Sequence, residues 1–140
     1  MNTSHTITMQ VIVHAPIEKV WEYWTEPRHI QAWNAASDDW HTPHATNDLR
    51  VGGEFCARME AKDQSAGFDF RGTYTEVVPH QRIAYTLGDD RTVLVTFETA
   101  EDGTTVTETF DIEHENSAEL QRQGWQAILN NFKQYTERTR

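Results

Sequence analysis

Residues 49–59 read LRVGGEFCARM, two adjacent glycines set between runs that alternate apolar and polar residues. Glycine reaches positive φ without steric cost, so Gly52 and Gly53 suit the central positions of a tight hairpin turn. Phe55, Ala57 and Met59 share one face of the run that follows. The turn and its flanks therefore predict two antiparallel strands, over 40–51 and 54–62.

The same period of two continues downstream, predicting strands over 68–78, 82–87, 92–100 and 104–113. Turn chemistry marks each boundary: a loose loop over 63–67, then Pro79-His80, Gly88-Asp89-Asp90 and Asp102-Gly103. Links this short imply an antiparallel meander. Upstream, Ile7, Met9, Val11 and Val13 alternate as in a first strand. Pro16 then stands where a helix would start, with Ile17, Val20, Trp21 and Trp24 at helical spacing, and Pro27 restarts the pattern with Ile30 and Trp33. Two short helices are expected there. After residue 117 the period becomes helical again, with Leu120, Trp125, Ile128, Leu129, Phe132 and Tyr135 on one stripe over 117–138. Strands with one polar face need a cover, and only this last helix is long enough to supply it. The fold class is therefore α+β.

With 140 residues the chain suits one domain over 1–140, large enough for a core that needs no metal or disulfide. Its one cysteine, Cys56, forms no internal bridge, so a cytoplasmic home is the default. No run of about 18 apolar residues is present, and MNTSHTITMQ lacks the blocks of a signal peptide. Twelve Lys plus Arg against 22 Asp plus Glu leave a formal charge of −10, which repels phosphate backbones and anionic headgroups. Nucleic acid and membrane are thereby disfavoured as partners. Aromatic residues make up 11%, five of them Trp, enough to fill a core or to line a cavity.

Several short motifs occur in a telling order: Ala15-Pro16 with Val20-Trp21, Pro27 with Trp33, Asp48 to Phe55 around the two glycines, Gly72-Thr73-Tyr74 running to Pro79 and Arg82-Ile83, Asp102-Gly103-Thr104, and Gly124-Trp125. In this order, from about residue 5 to 136, the chain resembles the small bacterial homologues of the activator of the heat-shock chaperone ATPase, within the START-like or SRPBCC superfamily. The resemblance implies a helix-grip fold, a curved antiparallel sheet of six to seven strands wrapped around the C-terminal helix with an apolar cavity between them. It places Gly52-Gly53 in the hairpin that joins the second and third strands. It also implies a possible chaperone contact. The eukaryotic activator carries a separate chaperone-binding domain N-terminal to its helix-grip domain, whereas nothing precedes residue 5 here, so the expectation is no more than marginal ATPase stimulation.

Strand parity assigns the inner face. Phe68, Phe70, Gly72 and Tyr74 share one side of their strand, as do Phe55, Ala57 and Met59, then Ile83, Tyr85 and Leu87, then Val93, Val95 and Phe97. Such residues fill cores as readily as they line pockets. Glu108 breaks the pattern, for Val106, Phe110 and Ile112 share its face. Burial would disfavour its charge unless something pairs with it. It is a ligand contact or an acid or base, or else a bulge turns it outward or Gln121 or Arg122 pairs with it. Gly124, costly inside a helix, implies close helix-to-sheet packing or a widened cavity roof. A ligand between sheet and helix is expected to touch Trp33, Phe55, Met59, Phe70, Tyr74, Tyr85, Phe97, Glu108, Trp125 and Leu129, with Trp125 facing Phe70, Tyr74 and Phe97.

Other chemistry finds little purchase. His41 and His44, with Asp38 and Asp39 upstream, are residue types that zinc prefers, yet no third ligand follows at a fixed spacing. No nucleophile elbow, phosphate-cradling loop or dinucleotide fingerprint is present, so neither cofactor nor metal is expected. Cys56 alternates outward with only Arg58 as a basic neighbour in sequence and reads as an inert thiol. The residues and the resemblance together favour a binding module for a small hydrophobic or aromatic molecule, as monomer or homodimer. A polyketide cyclase or aromatase-like enzyme and a chaperone-ATPase co-regulator are the alternatives. For the enzyme, only Glu108 with Tyr74 or Tyr85 offers acid and base groups.

Overall fold

The computed structural model describes residues 6–88, 90–113 and 115–139; Asp89, in the turn expected at Gly88-Asp89-Asp90, lies outside them. In chain order the elements are β1 (Thr6–Val13), α1 (Ile17–Thr25), α2 (Pro27–Trp33), β2 (Trp40–Asn47), β3 (Glu54–Ala61), β4 (Gly67–Val78), β5 (Arg82–Leu87), β6 (Thr92–Ala100), β7 (Gly103–Asp111) and α3 (Ala118–Arg138). The strands form one antiparallel sheet in the order β1-β7-β6-β5-β4-β3-β2. β2 to β7 are a meander, and β1 joins at the far edge beside β7.

Alternation explains why the sheet curls around a helix. In β6 the buried positions are Val93, Val95 and Phe97, and in β7 they are Thr104, Val106, Glu108 and Phe110. Only that face needs cover, and α3, burying Leu129 and Phe132, supplies it. This is the helix-grip architecture. Ser117 caps α3 by accepting the Leu120 N–H at 3.1 Å. Glu26 closes α1 and opens α2, where Pro27 takes the first turn without losing a needed donor.

The glycine pair works differently from a two-residue hairpin. β2 stops at Asn47, not at residue 51, and a loop over 48–53 follows. Its tip is a β-turn in which the Gly53 N–H donates to the Arg50 carbonyl at 2.8 Å, with Gly52 third in the turn at φ +84°. Gly53 is required for closeness instead, because a Cβ there would lie 2.1 Å from the Asp48 carbonyl oxygen. The loop is pinned onto β4, as Gly52 N–H donates to the Tyr74 carbonyl and Tyr74 N–H to that of Gly53, both at 2.9 Å. Leu49 and Val51 mimic strand alternation, but this cross-connection takes their backbone out of the β2 ladder.

The C-terminal half of α3 is clamped and its N-terminal half is not packed in the same way. Lys133 Nζ donates to the Ile12 carbonyl at 2.6 Å, and the His14 N–H donates to Glu137 Oε2 at 2.9 Å. Beside this clamp Phe132 meets Trp24 at 4.8 Å and Trp33 at 5.0 Å between ring centroids, both edge to face. At the other end Leu120, expected on the apolar stripe, is 56% exposed. Gln121 is buried in its place, its side chain bonded to the Glu113 N–H, the Glu113 carbonyl and the Asn116 carbonyl, which fastens the end of β7 to the start of α3.

Candidate functional site

Between the N-terminal half of α3, α2 and the inner faces of β3, β4 and β5 lies a cavity of about 310 Å³. Trp24 and Trp33 divide it from the closed core around Phe132. Its sheet wall is a contiguous set of rings. Phe55 meets Tyr85 at 4.7 Å, Tyr74 at 5.3 Å and Phe70 at 5.8 Å. Gly72 makes this possible: a Cβ there would sit 2.7 Å from the Phe55 ring, so the glycine leaves Phe55 room to lie across β4.

Trp125 closes the cavity from α3. It stacks on Phe110 at 4.0 Å with planes 10° apart and meets Phe70 edge to face at 6.0 Å. Phe110, not Tyr74 or Phe97, is thus its main partner. Of the ten residues expected to contact a ligand, Trp33, Phe55, Met59, Phe70, Tyr74, Tyr85, Glu108 and Trp125 line the cavity. Phe97 and Leu129 do not line it. Phe97 is covered by α1, with Trp21 at 5.3 Å and Trp24 at 5.9 Å, and Leu129 lies one turn along α3 in the closed core. Phe68, assigned to the inner face, is at the rim and 48% exposed. Trp24, Ile30 and Ile128 line the cavity as well, beyond the expected ten, and all three lie on the apolar stripes of their helices.

Glu108 does face inward. It is 6% exposed, between Met9 on β1 and Val95 on β6. Among the described residues nothing donates a hydrogen bond to its carboxyl, since Gln121 is engaged elsewhere and Arg122 is exposed. Burial lifts the carboxyl from 4.5 to about 8, so it is mostly protonated at neutral pH. The Tyr85 hydroxyl likewise has no partner among the described residues, and burial first, then the nearby Glu108 charge, pushes it well up. Tyr74 is committed: it donates to Asn47 Oδ1 at 2.6 Å while Asn47 Nδ2 donates to the Thr25 carbonyl at 2.7 Å, tying β4 to β2 and α1. The cavity therefore offers an apolar, ring-lined space and two polar groups without partners among the described residues, the composition of a small-molecule site.

The remaining features lie apart from this site, except Cys56, which is among the residues that line it. A Cβ on Gly124 would meet nothing within 4 Å, so close packing does not explain that glycine. His41 Nε2 lies 4.0 Å from Glu60, a register shift separates it from His44, and no group of three or more potential metal ligands converges among the described residues. Cys56 has a basic neighbour across the ladder, Arg71, whose Nη2 is 3.8 Å from Sγ. No described helix is long and apolar enough to cross a membrane.

A family model described as Activator of Hsp90 ATPase homolog 1-like protein matches residues 14–137. Among solved structures, the AHSA1-like protein from Aeromonas hydrophila is 47% identical, with a TM-score of 0.91 over 96% of this chain and 93% of that one. A protein from Cytophaga hutchinsonii is 53% identical, with a TM-score of 0.83 over 95% and 92%. One from Chromobacterium violaceum, 24% identical, shares the fold at a TM-score of 0.82 over 94% and 96%. Curated proteins give no match.

Proposed function

The chain belongs to the family of Activator of Hsp90 ATPase homolog 1-like proteins, and on that premise we propose that it is a cytoplasmic binding module for a small apolar or aromatic molecule held between the sheet and α3. One observation carries this reading: a cavity of about 310 Å³, walled by Phe55, Phe70, Tyr85 and Trp125, contains a buried carboxyl with no donor among the described residues. Cores do not leave such a group idle at no cost. Burying an unpaired polar group costs on the order of 1–3 kcal/mol, which a ligand's hydrogen bond would offset. The volume falls at the small end of ligand sites, roughly 300–1,000 Å³.

Titration with a panel of planar aromatic compounds tests the proposal. A ring entering under Trp125 quenches its emission saturably, and Trp125→Ala weakens the response. Absence of saturable quenching by any compound up to millimolar concentration counts against it. A second reading has one observation in its favour. A carboxyl held protonated in an apolar cavity is the form of a general acid, which suits cyclase or aromatase-like chemistry on a bound chain. Turnover of a cavity-bound polyketide-like compound, lost in Glu108→Gln, would establish it.

A further inference from the structure

Resting on the ligand-binding reading above, we infer that the cavity selects a small organic cation: a protonated amine on an apolar, ring-bearing body, its ammonium seated at Glu108.

The charges within the cavity decide the ligand's sign. Glu108 faces Met9 from β1 and Val95 from β6, while Trp125 and Ile128 line the opposite wall on α3, so none of these compensates a carboxylate. The titratable or charged groups that share the cavity with it are Tyr85, Tyr74, Cys56, Arg91 and Glu113. The two tyrosines stay neutral. Glu113 is held below its ordinary range by the Asn116 N–H above all, with the Arg91 charge a smaller contribution. Glu108 is left as the interior carboxyl that, on ionising, has no counter-ion among the described residues.

The walls point the same way. Phe55, Phe70, Tyr85 and Trp125 are in mutual or chained ring contact, and aromatic faces attract ammonium groups, the more so away from water. A chain of formal charge −10 repels an anion such as a fatty carboxylate, whereas a cation is drawn in. A neutral ligand would leave the rings unused as cation acceptors and would need Glu108 to remain protonated.

That last difference supplies the test. An ammonium at Glu108 favours the carboxylate, so binding near neutral pH expels the carboxyl proton to solvent; a neutral ligand expels none. The probes are 2-naphthylmethylamine and its uncharged isostere 2-naphthylmethanol. Calorimetry at pH 6.5 in buffers of different ionisation enthalpy should show close to one proton released with the amine and none with the alcohol. Amine affinity should rise about tenfold from pH 6.5 to 7.5 and level off above pH 8, where it exceeds that of the alcohol by at least about tenfold. Glu108→Gln should remove the proton release and the amine preference; if that variant folds poorly, proton release by the unaltered protein decides alone. Alcohol binding equal to or tighter than amine binding at pH 8, or amine binding without proton release, overturns the inference and leaves the broader binding proposal standing. Binding of neither compound counts against both.

Discussion

Replacing Glu108 by Gln should make the protein more stable at alkaline pH and flatten one component of its pH dependence. The carboxyl rises from 4.5 to about 8 on folding through burial, and each tenfold change in an acid dissociation constant corresponds to about 1.4 kcal/mol. Below the unfolded value both states carry the proton, so no penalty applies. Between 4.5 and about 8 the unfolded chain has released it and the folded chain has not, so stability falls as pH rises. Above about 8 the folded chain must hold a buried carboxylate, and the loss levels off at roughly 5 kcal/mol. Glutamine keeps the shape and cannot ionise. Urea unfolding of both proteins at pH 4.5, 6, 7.5 and 9 isolates the effect, because all other titrating groups cancel in the difference. The variant should gain progressively on the native chain, by several kcal/mol at pH 9, with unchanged denaturant slopes. Parallel pH profiles would mean that Glu108 ionises freely, and the unpaired buried carboxyl would then be refuted.

Other outcomes follow from named contacts. Gly72→Ala drives a methyl into the Phe55 ring and the Thr86 carbonyl, both within 2.8 Å, and should destabilise by about 1–3 kcal/mol in urea unfolding while displacing Phe55 from the cavity wall. Gly124→Ala meets nothing, so the helix should gain roughly 0.5–1 kcal/mol, visible as a higher Tm. His29 stacks on Tyr23 at 3.8 Å and its Nδ1 lies 2.7 Å from the Tyr135 hydroxyl; burial, then Arg28, depresses its pKa below 6.5. Its contribution is therefore intact above pH 6.5 and lost as pH falls, and its imidazole resonance should titrate with a midpoint below 6.5.

Much of this architecture was legible because one-sided burial writes itself as period: β5 and β6 match the alternation to the residue, and α2 starts at Pro27 and ends at Trp33 as its prolines and tryptophans imply. Parity likewise placed Glu108 inward, since β7 runs without a bulge against both neighbours. What parity cannot carry is distance along the third dimension. Phe97 obeys it and is inward, but α1 covers β6 there, so the cavity lies elsewhere. Leu120 and Gln121 exchange roles because a hydrogen-bonding clamp, not apolar burial, fixes the start of α3. The loop after Asn47 reads as strand for a related reason, its backbone being held by β4, a partner distant in sequence.

Amide and indole correlation spectra recorded while a planar apolar compound such as 2-naphthylmethanol is added test most directly whether the space beneath Trp125 is a binding site. The account predicts saturable shifts of the Trp125 indole N–H and of the Phe70, Tyr85 and Glu108 amides, with Thr8 and Thr107 on the outer face of the sheet unmoved. Shifts confined to the outer face, or none at millimolar compound, would show that the cavity does not serve as a site.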